Sequence, residues 1–270
     1  MKRRKKIAFC FLIDEKIYNQ KVWVSFFESL SCDFEIFCHY KEKKPELIFD
    51  VNYVDIIKTK WGDISLIHST FNLFEKAFRE HNCDFAYLLS GDTLPIKKNF
   101  KGFVESNQKT TFSEYIPIGK ANIDWHKTQY NSVDTKVRYN ILPYKHFKKA
   151  NMFFCINRKD YIKINKNKML DSFKNVPVPD EVFWINSCTC LDVDYKIDPN
   201  YIYCNPAMAL QACVFKLGTD HYSPSILNSS GFHREVIGDD EISDLYDEIS
   251  KCKLIRKIPF EMSYLDKLFL

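Results

Sequence analysis

Glycine is scarce in this sequence, with seven residues among 270. Neither G-x-G-x-x-G nor G-x-x-x-x-G-K-[ST] occurs, and these are the loops with which dinucleotide-binding and P-loop proteins hold phosphate groups. Long apolar runs are also missing, since no segment approaches the roughly 20 residues that cross a bilayer. These absences argue against Rossmann dehydrogenases and P-loop kinases, and they give no sign of a membrane-spanning helix.

Charge of neither sign dominates, because 39 Lys and Arg stand against 35 Asp and Glu, a net charge of +4. Proteins that bind nucleic acid concentrate basic residues to neutralise phosphates, and no RRM, KH or zinc-finger pattern is present. Nucleic acid is therefore not an expected partner. One basic run, residues 2–6, precedes an apolar stretch too short for a signal peptide. We interpret residues 1–6 as a solvated tail, with peripheral association with the anionic inner face of a membrane as the alternative.

The ten cysteines are scattered through apolar stretches and lack the compact framework of a disulfide-rich secreted domain. We expect reduced, buried thiols. Cys188 and Cys190 form a close pair, but no second cysteine pair or H-x-x-x-H lies nearby to complete a zinc tetrahedron. The sequence therefore predicts no zinc site.

A chain that is 46% hydrophobic and 16% aromatic can bury a full core. Strand-like and helical patterns alternate, which is typical of βα units around a mostly parallel sheet. The predicted strands are 7–13, 34–39, 53–57, 85–89 and 150–156, and the predicted helices are 20–30, 64–78, 160–173, one that starts at Pro179, and 240–250. Residues 107–149 show no periodicity and are predicted to be irregular. We expect one α/β domain with a C-terminal extension.

Five short blocks follow one another along the chain. They are F-C-H-Y-K-E-K from Phe37, W-G-D-I-S-L-I from Trp61, Y-L-L-S-G-D-T-L-P-I-K from Tyr87, P-D-E from Pro179 and L-I-R-K-I from Leu254. Together they resemble the core-2/I-branching N-acetylglucosaminyltransferase and protein xylosyltransferase family. The third block is one residue shorter between Gly and Asp than the L-S-G-x-D-x-P-I-K of that family, and Tyr40 stands where the family has aspartate.

The resemblance implies a GT-A-like fold and an inverting glycosyltransferase that moves a sugar such as GlcNAc or xylose from a UDP-sugar donor to a hydroxyl of a glycan acceptor. It also implies that no divalent metal cofactor is needed, because basic side chains take the place of the ion. On this reading residues 7–106 bind the nucleotide-sugar, 107–210 the acceptor and catalytic group, and 211–270 the diphosphate. Because no anchor is recognisable, we expect a cytoplasmic enzyme.

Inverting transfer needs a carboxylate that removes the proton from the attacking hydroxyl. The P-D-E block makes Glu181 the candidate catalytic base. Proline followed by acidic residues is typical of a helix start, and a helix N-terminus favours the ionised form of a nearby carboxylate. The alternative is that Glu181 is an ordinary charge in the first turn of a helix.

The departing diphosphate needs positive charge, and the resemblance assigns this role to Arg234 and Lys257, with Arg256 as the alternative to Lys257. Arginine can hold phosphate oxygens with two parallel hydrogen bonds, while lysine supplies a compact charge. A surface ion pair for Arg234 and a solvated strand position for Lys257 are the simpler interpretations. The resemblance further places His39 and Asp92 at the donor and Glu114 at the acceptor hydroxyls.

Metal-dependent GT-A enzymes hold their cation with D-x-D after the central strand. Here that position reads Ser90-Gly91-Asp92, with a single carboxylate. The D-x-D at 192–194 follows the P-D-E block instead, where a surface strand or turn is the simpler interpretation. A metal-dependent GT-A enzyme of another family and a non-catalytic glycan-binding relative are the alternative functions.

Overall fold

The computed structural model describes residues 4–115, 119–199, 201–203, 227–228, 231–232 and 252–256. The strands in chain order are β1 (Lys6–Ile13), β2 (Asp33–Tyr40), β3 (Asn52–Tyr53), β4 (Phe85–Ser90), β5 (Thr93–Pro95), β6 (Thr111–Phe112), β7 (Glu114–Tyr115), β8 (Lys149–Ala150), β9 (Cys155–Asn157), β10 (Lys196–Ile197), β11 (Ile202–Tyr203), β12 (Leu227–Asn228), β13 (Gly231–Phe232) and β14 (Leu254–Arg256). The α-helices are α1 (Gln20–Ser29), α2 (Ser65–Glu75), α3 (Lys97–Ser106), α4 (Lys120–Ser132), α5 (Thr135–Asn140), α6 (Arg158–Lys166) and α7 (Phe183–Cys190).

The largest sheet in the described part of the chain has seven strands in the order β10-β6-β9-β4-β1-β2-β3. β1 pairs in parallel with β2 and β4, β2 with β3, and β10 with β6. β9 is antiparallel to both β4 and β6, so it alone of the seven runs in the opposite direction. This mostly parallel sheet confirms the predicted α/β class and agrees with a GT-A-like fold.

Aromatic side chains cover both faces of the sheet. On one face the ring of Phe9 in β1 meets Phe26 of α1 and Phe100 of α3, with centroids 5.8 and 6.2 Å apart. On the other face Phe74 of α2 packs against Trp184 of α7 at 5.4 Å. Because apolar surface is buried on both sides, the strands read as continuous hydrophobic runs, which is why the sequence shows them so clearly.

The sequence predicts the centre of the fold well. β1, β2, β4 and α1 lie within one residue of their predicted bounds, and α2 continues through a π-helical turn (Lys76–Glu80) close to the predicted end. β1 begins at Lys6, whose ammonium pairs with Glu35 at 3.0 Å. Lys5 donates a hydrogen bond to the Val104 carbonyl near the end of α3 at 3.1 Å. The last two residues of the predicted tail therefore belong to the folded domain.

The prediction that residues 107–149 are irregular is wrong, because α4 and α5 lie within this segment. The buried positions of α4 are His126 and Gln129, both polar. A helix that turns polar side chains inward has no apolar stripe, so its 3.6-residue period is invisible in a hydrophobicity pattern.

Four other bounds differ from prediction. The strand predicted at 53–57 has only two residues. The strand predicted at 150–156 is divided into β8 and β9, because the Asn151 side chain accepts a hydrogen bond from the Phe153 N–H in a local turn (3.1 Å). The helix predicted at 160–173 ends at Lys166 and is followed by a 3₁₀ turn (Met169–Phe173). The P-D-E block forms a separate 3₁₀ turn before α7. The helix predicted at 240–250 lies outside the described residues.

Six of the eight cysteines in the described ranges are buried, and no disulfide joins any of those eight. Burial raises the pKa of the Cys38 and Cys155 thiols to about 12, so both act as neutral packing groups. Among the described helices, none has the length and apolar character needed to cross a bilayer.

The turn after β4 depends on a close backbone contact at Gly91. A Cβ at this position would lie 2.0 Å from the Lys16 carbonyl oxygen, and the Gly91 carbonyl accepts a hydrogen bond from the Tyr18 N–H at 2.8 Å. The loop after β1 and the turn after β4 therefore touch through main-chain atoms, which leaves no room for a side chain.

We expect Gly91→Ala to lower the free energy of unfolding by about 1–3 kcal/mol, because main-chain atoms must move to admit the methyl group. Gly102→Ala in α3 is the matched control, since its Cβ would meet no atom within 4 Å and alanine is the better helix former by about 1 kcal/mol. Urea denaturation measures both variants. Equal stability of the two would contradict the close contact.

Candidate active site

The carboxyl ends of the central parallel strands meet at one edge of the sheet. Leu12 of β1 pairs with His39 of β2 and with Ser90 of β4, so these three strand ends lie level. β6 is separated from β4 by one strand, about 10 Å at the usual strand spacing, and runs in the same direction. Glu114 follows β6 and therefore emerges at the same edge, where open α/β sheets bind their ligands.

Asp92 occupies a tightly bonded turn at this edge. The Ser90 hydroxyl donates to the Asp92 carboxylate, and the Ser90 and Thr93 hydroxyls lie 2.6 Å apart. The Thr93 carbonyl accepts from the Trp23 indole N–H at 3.1 Å. The half-buried Asp92 carboxylate is thus held against the end of the central strand pair.

The C-terminal strand β14 lies beside this turn. It pairs antiparallel with β5, which sets Arg256 opposite Thr93 in the ladder, one residue from Asp92. Lys257 is the next residue in the chain. Lys257 and Arg234, the two predicted diphosphate ligands, lie outside the described residues.

His39 is fully buried at the end of β2. Its Nε2 accepts a hydrogen bond from the Ile57 N–H at 2.9 Å, which ties the loop after β3 to the sheet edge. Burial lowers the pKa of the imidazole, so the ring is neutral near pH 7. With Nε2 accepting, the proton is on Nδ1, a buried atom with no hydrogen-bond partner among the described residues. The predicted contact of His39 with the donor stays a prediction.

The turn that carries Glu181 is anchored from two directions. Val178 has a φ of 48°, a conformation that β-branched residues rarely adopt, and its N–H donates to the Gly62 carbonyl at 3.2 Å. Gly62 has a φ of 68°, which glycine adopts without strain. The Gln129 amide of α4 donates to the Pro177 carbonyl at 3.0 Å. Strained backbone held by its surroundings in this way is concentrated at functional sites.

Glu181 forms an ion pair with Lys149 of β8, with 2.8 Å between Oε2 and Nζ. The side chain of Glu181 is 33% exposed and that of Lys149 is 17% exposed. The other carboxylate oxygen, Oε1, has no partner within the part of the chain that the structure describes. This oxygen of the carboxylate is therefore chemically able to accept a proton.

A second pair lies next to the first. Glu114 of β7 accepts a hydrogen bond from the Lys148 ammonium at 3.0 Å, while β7 pairs with β8 through Glu114 opposite Ala150. The Asn186 side chain of α7 accepts from the Lys148 N–H at 2.8 Å and donates to the Lys148 carbonyl at 2.6 Å. The segment with the two lysines is thus joined both to β7 and to the helix that follows Glu181.

The described residues contain no cluster of three His, Cys, Asp or Glu side chains that could hold a metal ion. The D-x-D at 192–194 forms an exposed turn after α7, where Asp192 has a φ of 50° and Asp194 pairs with Lys109 at 2.7 Å. A surface turn is what the simpler interpretation predicted, and the ion pair with Lys109 is an additional feature.

The model of the Core-2/I-Branching enzyme family matches residues 7–187. The chain belongs to this family. The matched range contains every predicted site residue that the structure describes, namely His39, Asp92, Glu114 and Glu181, and it ends before Arg234 and Lys257. Comparison of the sequence with curated proteins finds no match.

Membership of the Core-2/I-Branching family implies a glycosyltransferase, with a nucleotide-sugar as donor and a glycan as acceptor. The mostly parallel sheet with its level strand ends agrees with a GT-A-like fold. The fold and the family match are therefore consistent with each other.

Sequence reasoning missed three residues that organise this site, Lys149, Asn186 and Gln129. Each acts through a contact with a residue 32 or more positions away along the chain, as in the pair between Lys149 and Glu181. No short-range pattern in the sequence predicts such contacts.

We expect His39 to make the stability of the fold depend on pH. Its pKa is lowered by burial, so the unfolded chain binds more protons as the pH falls below about 6.5. The stabilising contribution is therefore complete above that pH and is lost as the solution becomes more acidic. Urea denaturation at about pH 7.5 and about pH 5.5 measures the loss.

His39→Gln is the comparison variant, because glutamine can still accept from the Ile57 N–H but binds no proton. Its stability should change less between the two pH values than that of the unaltered protein. His126, whose pKa is also lowered by burial, is present in both proteins and cancels in the comparison. Identical pH dependence in the two proteins would show that His39 does not titrate with folding.

Proposed function

We propose that this protein is an inverting glycosyltransferase that transfers a sugar from a UDP-sugar to a hydroxyl of a glycan, with Glu181 as the catalytic base. GlcNAc and xylose are the candidate sugars. The observation that carries the proposal is the position of Glu181: a carboxylate on a rigid, strained turn, with one oxygen paired to Lys149 and the other without a described partner. Strained backbone of this kind is concentrated at functional sites, which supports a functional role for Glu181.

The proposed reaction needs one carboxylate to take a proton from the acceptor and one group of cations to stabilise the departing diphosphate. Oε1 of Glu181 takes the proton of the acceptor hydroxyl as that oxygen attacks the anomeric carbon of the donor sugar. The bond from the anomeric carbon to the diphosphate breaks on the opposite side, and its electron pair leaves with UDP. Attack from one side and departure from the other invert the configuration.

The donor would lie along the edge formed by β1, β2 and β4. Asp92 is the candidate for hydroxyl groups of the donor ribose or sugar, because its carboxylate is only half-buried at the end of the central strands. His39 is the second candidate for donor contact, through Nδ1. Glu114 emerges one strand beyond β4 and is the candidate for acceptor hydroxyls, with Lys148 holding one of its oxygens.

Arg234 and Lys257 are the proposed diphosphate ligands. The pairing of Arg256 with Thr93 supports this assignment, because it brings the L-I-R-K-I block to the turn that contains Asp92. Cations at that turn would stabilise the two negative charges that develop on the diphosphate, without a divalent ion. Arg256 stays the alternative to Lys257.

Glu181→Gln should abolish turnover and leave donor binding intact, because the amide keeps the shape of the side chain but cannot take a proton. We expect the rate of UDP release from UDP-GlcNAc or UDP-xylose to fall by about 10² or more, while calorimetry gives an unchanged Kd for UDP. Glu80→Gln is the matched control, since Glu80 lies 4.0 Å from Lys76 in an exposed pair on another part of the domain.

Two outcomes would refute this assignment. Full activity of Glu181→Gln would mean that another group is the base. Binding of UDP or a glycan by the unaltered protein, with no sugar transfer from any donor tested, would favour the non-catalytic glycan-binding relative.

Arg234→Ala should weaken UDP binding by about 2 kcal/mol, which is about a 30-fold rise in Kd, because a charge-assisted contact with the diphosphate is lost. Calorimetry measures this change in Kd.

Activity of the unaltered protein should persist in excess EDTA, since the proposed diphosphate ligands are side chains. A UDP-release assay measures this activity. Loss of activity with EDTA and its recovery with Mn²⁺ would identify a metal-dependent enzyme instead.

A further inference from the structure

The turn that carries Glu181 fixes its backbone but not its carboxylate. A glutamate has three rotatable side-chain bonds, and this one is 33% exposed, so packing alone leaves it several conformations. A base that must meet an incoming hydroxyl at hydrogen-bond distance needs a defined position. Some contact beyond the turn must therefore orient the carboxylate.

Lys149 makes that contact from a rigid strand. Its Nζ lies 2.8 Å from Oε2 of Glu181, and its side chain is only 17% exposed. The backbone of Lys149 pairs with Tyr115 in the β7–β8 ladder. Because the long lysine side chain is enclosed by protein, its ammonium is a fixed point rather than a mobile surface charge.

The two partners are also tied together through the main chain. Asn186, five residues after Glu181, binds both the N–H and the carbonyl of Lys148, the neighbour of Lys149. An amide that satisfies both polar groups of one residue acts as a short piece of β-ladder. The distance between the base and its lysine is therefore set by two independent connections, one through side chains and one through α7.

Among the described residues, His126 does not act as a second cation beside Lys149. The imidazole of His126 is close enough for the charge of Lys149 to affect it, and burial together with that charge lowers the pKa of His126. His126 is neutral near pH 7 and does not compete for the carboxylate. The exposed pair of Lys109 and Asp194 contrasts with this arrangement, since both side chains are more than half exposed, and pairs of that kind contribute little.

We propose that Lys149 is a positioning residue for the catalytic base: it holds Oε2 of Glu181 so that Oε1 is presented to the attacking hydroxyl. The lysine acts only through its contact with Oε2, and the proton of the hydroxyl passes to Oε1. This inference rests on the proposed function, because it assumes that Glu181 is the base. It adds a residue that lies in the segment predicted to be irregular.

The test compares Lys149→Met, Lys149→Gln and Lys149→Arg. Without the positive charge, kcat for UDP release from UDP-GlcNAc or UDP-xylose should fall by about 10- to 10²-fold, with the Kd for UDP unchanged. Lys149→Arg should recover most of the activity, because a guanidinium can bind the same oxygen. Lys109→Met, which removes a lysine from the exposed pair, is the matched control and should keep the activity of the unaltered protein.

Lys149→Gln is included so that the result does not depend on whether the methionine variant folds, and thermal unfolding reports the stability of every variant. A double variant separates positioning from an independent role. If Lys149 acts only through Glu181, then adding Lys149→Met to Glu181→Gln should cause no further loss.

Three results would overturn the inference. One is normal kcat in Lys149→Met while Glu181→Gln is inactive, which leaves the proposed function standing without Lys149. Another is a parallel loss of UDP affinity, which would make Lys149 a donor ligand. The third is losses that multiply in the double variant. If Glu181→Gln itself is active, the proposed function and this inference fail together.

Discussion

The parallel pairing of β1 with β2 on one side and β4 on the other is the constraint on which the rest of the structure depends. It fixes the three strand ends at one level. The residues that follow these ends therefore lie at the same edge of the sheet. The contact between Gly91 and the Lys16 carbonyl then locks two of the following loops together. The positions of the side chains at this edge are therefore set mainly by the register of the strands.

Glu181, the proposed base, is held in a different way, by a segment that is not part of the large sheet. Its turn is hydrogen-bonded to Gly62, which precedes α2, and to Gln129 of α4. Two separate parts of the chain therefore define one backbone conformation. The strained φ of Val178 persists because these contacts outweigh its cost. The proposed site therefore combines a sheet edge whose position is set by strand register with a glutamate whose turn is held by contacts between separate segments.

How much of this was visible in the sequence depended on the kind of interaction. The central strands and α1 were predicted to within one residue, because buried strands and an amphipathic helix leave a periodic apolar signal. α4 was missed, because it buries His126 and Gln129 instead of leucines. Glu181 could be proposed from the P-D-E block, whereas Lys149 could not, because nothing local in the sequence connects it with Glu181. Arg256 was recognised as part of a motif, but its place opposite Thr93 required the β5–β14 ladder.

The β7–β8 ladder has a consequence for how such an enzyme could change its preference among acceptors. It closes the base of an excursion, residues 116–148, and it carries Glu114 on one strand and the lysine of Glu181 on the other. Parts of the excursion other than Gln129 and Lys148 could be lengthened, shortened or exchanged between relatives while both carboxylates keep their partners. The pairing register of β8 must be kept, because a shift of one residue would place the Lys149 side chain on the opposite side of its strand. The length of this excursion can therefore vary among relatives, provided that the register of β8 and the contacts of Gln129 and Lys148 are preserved.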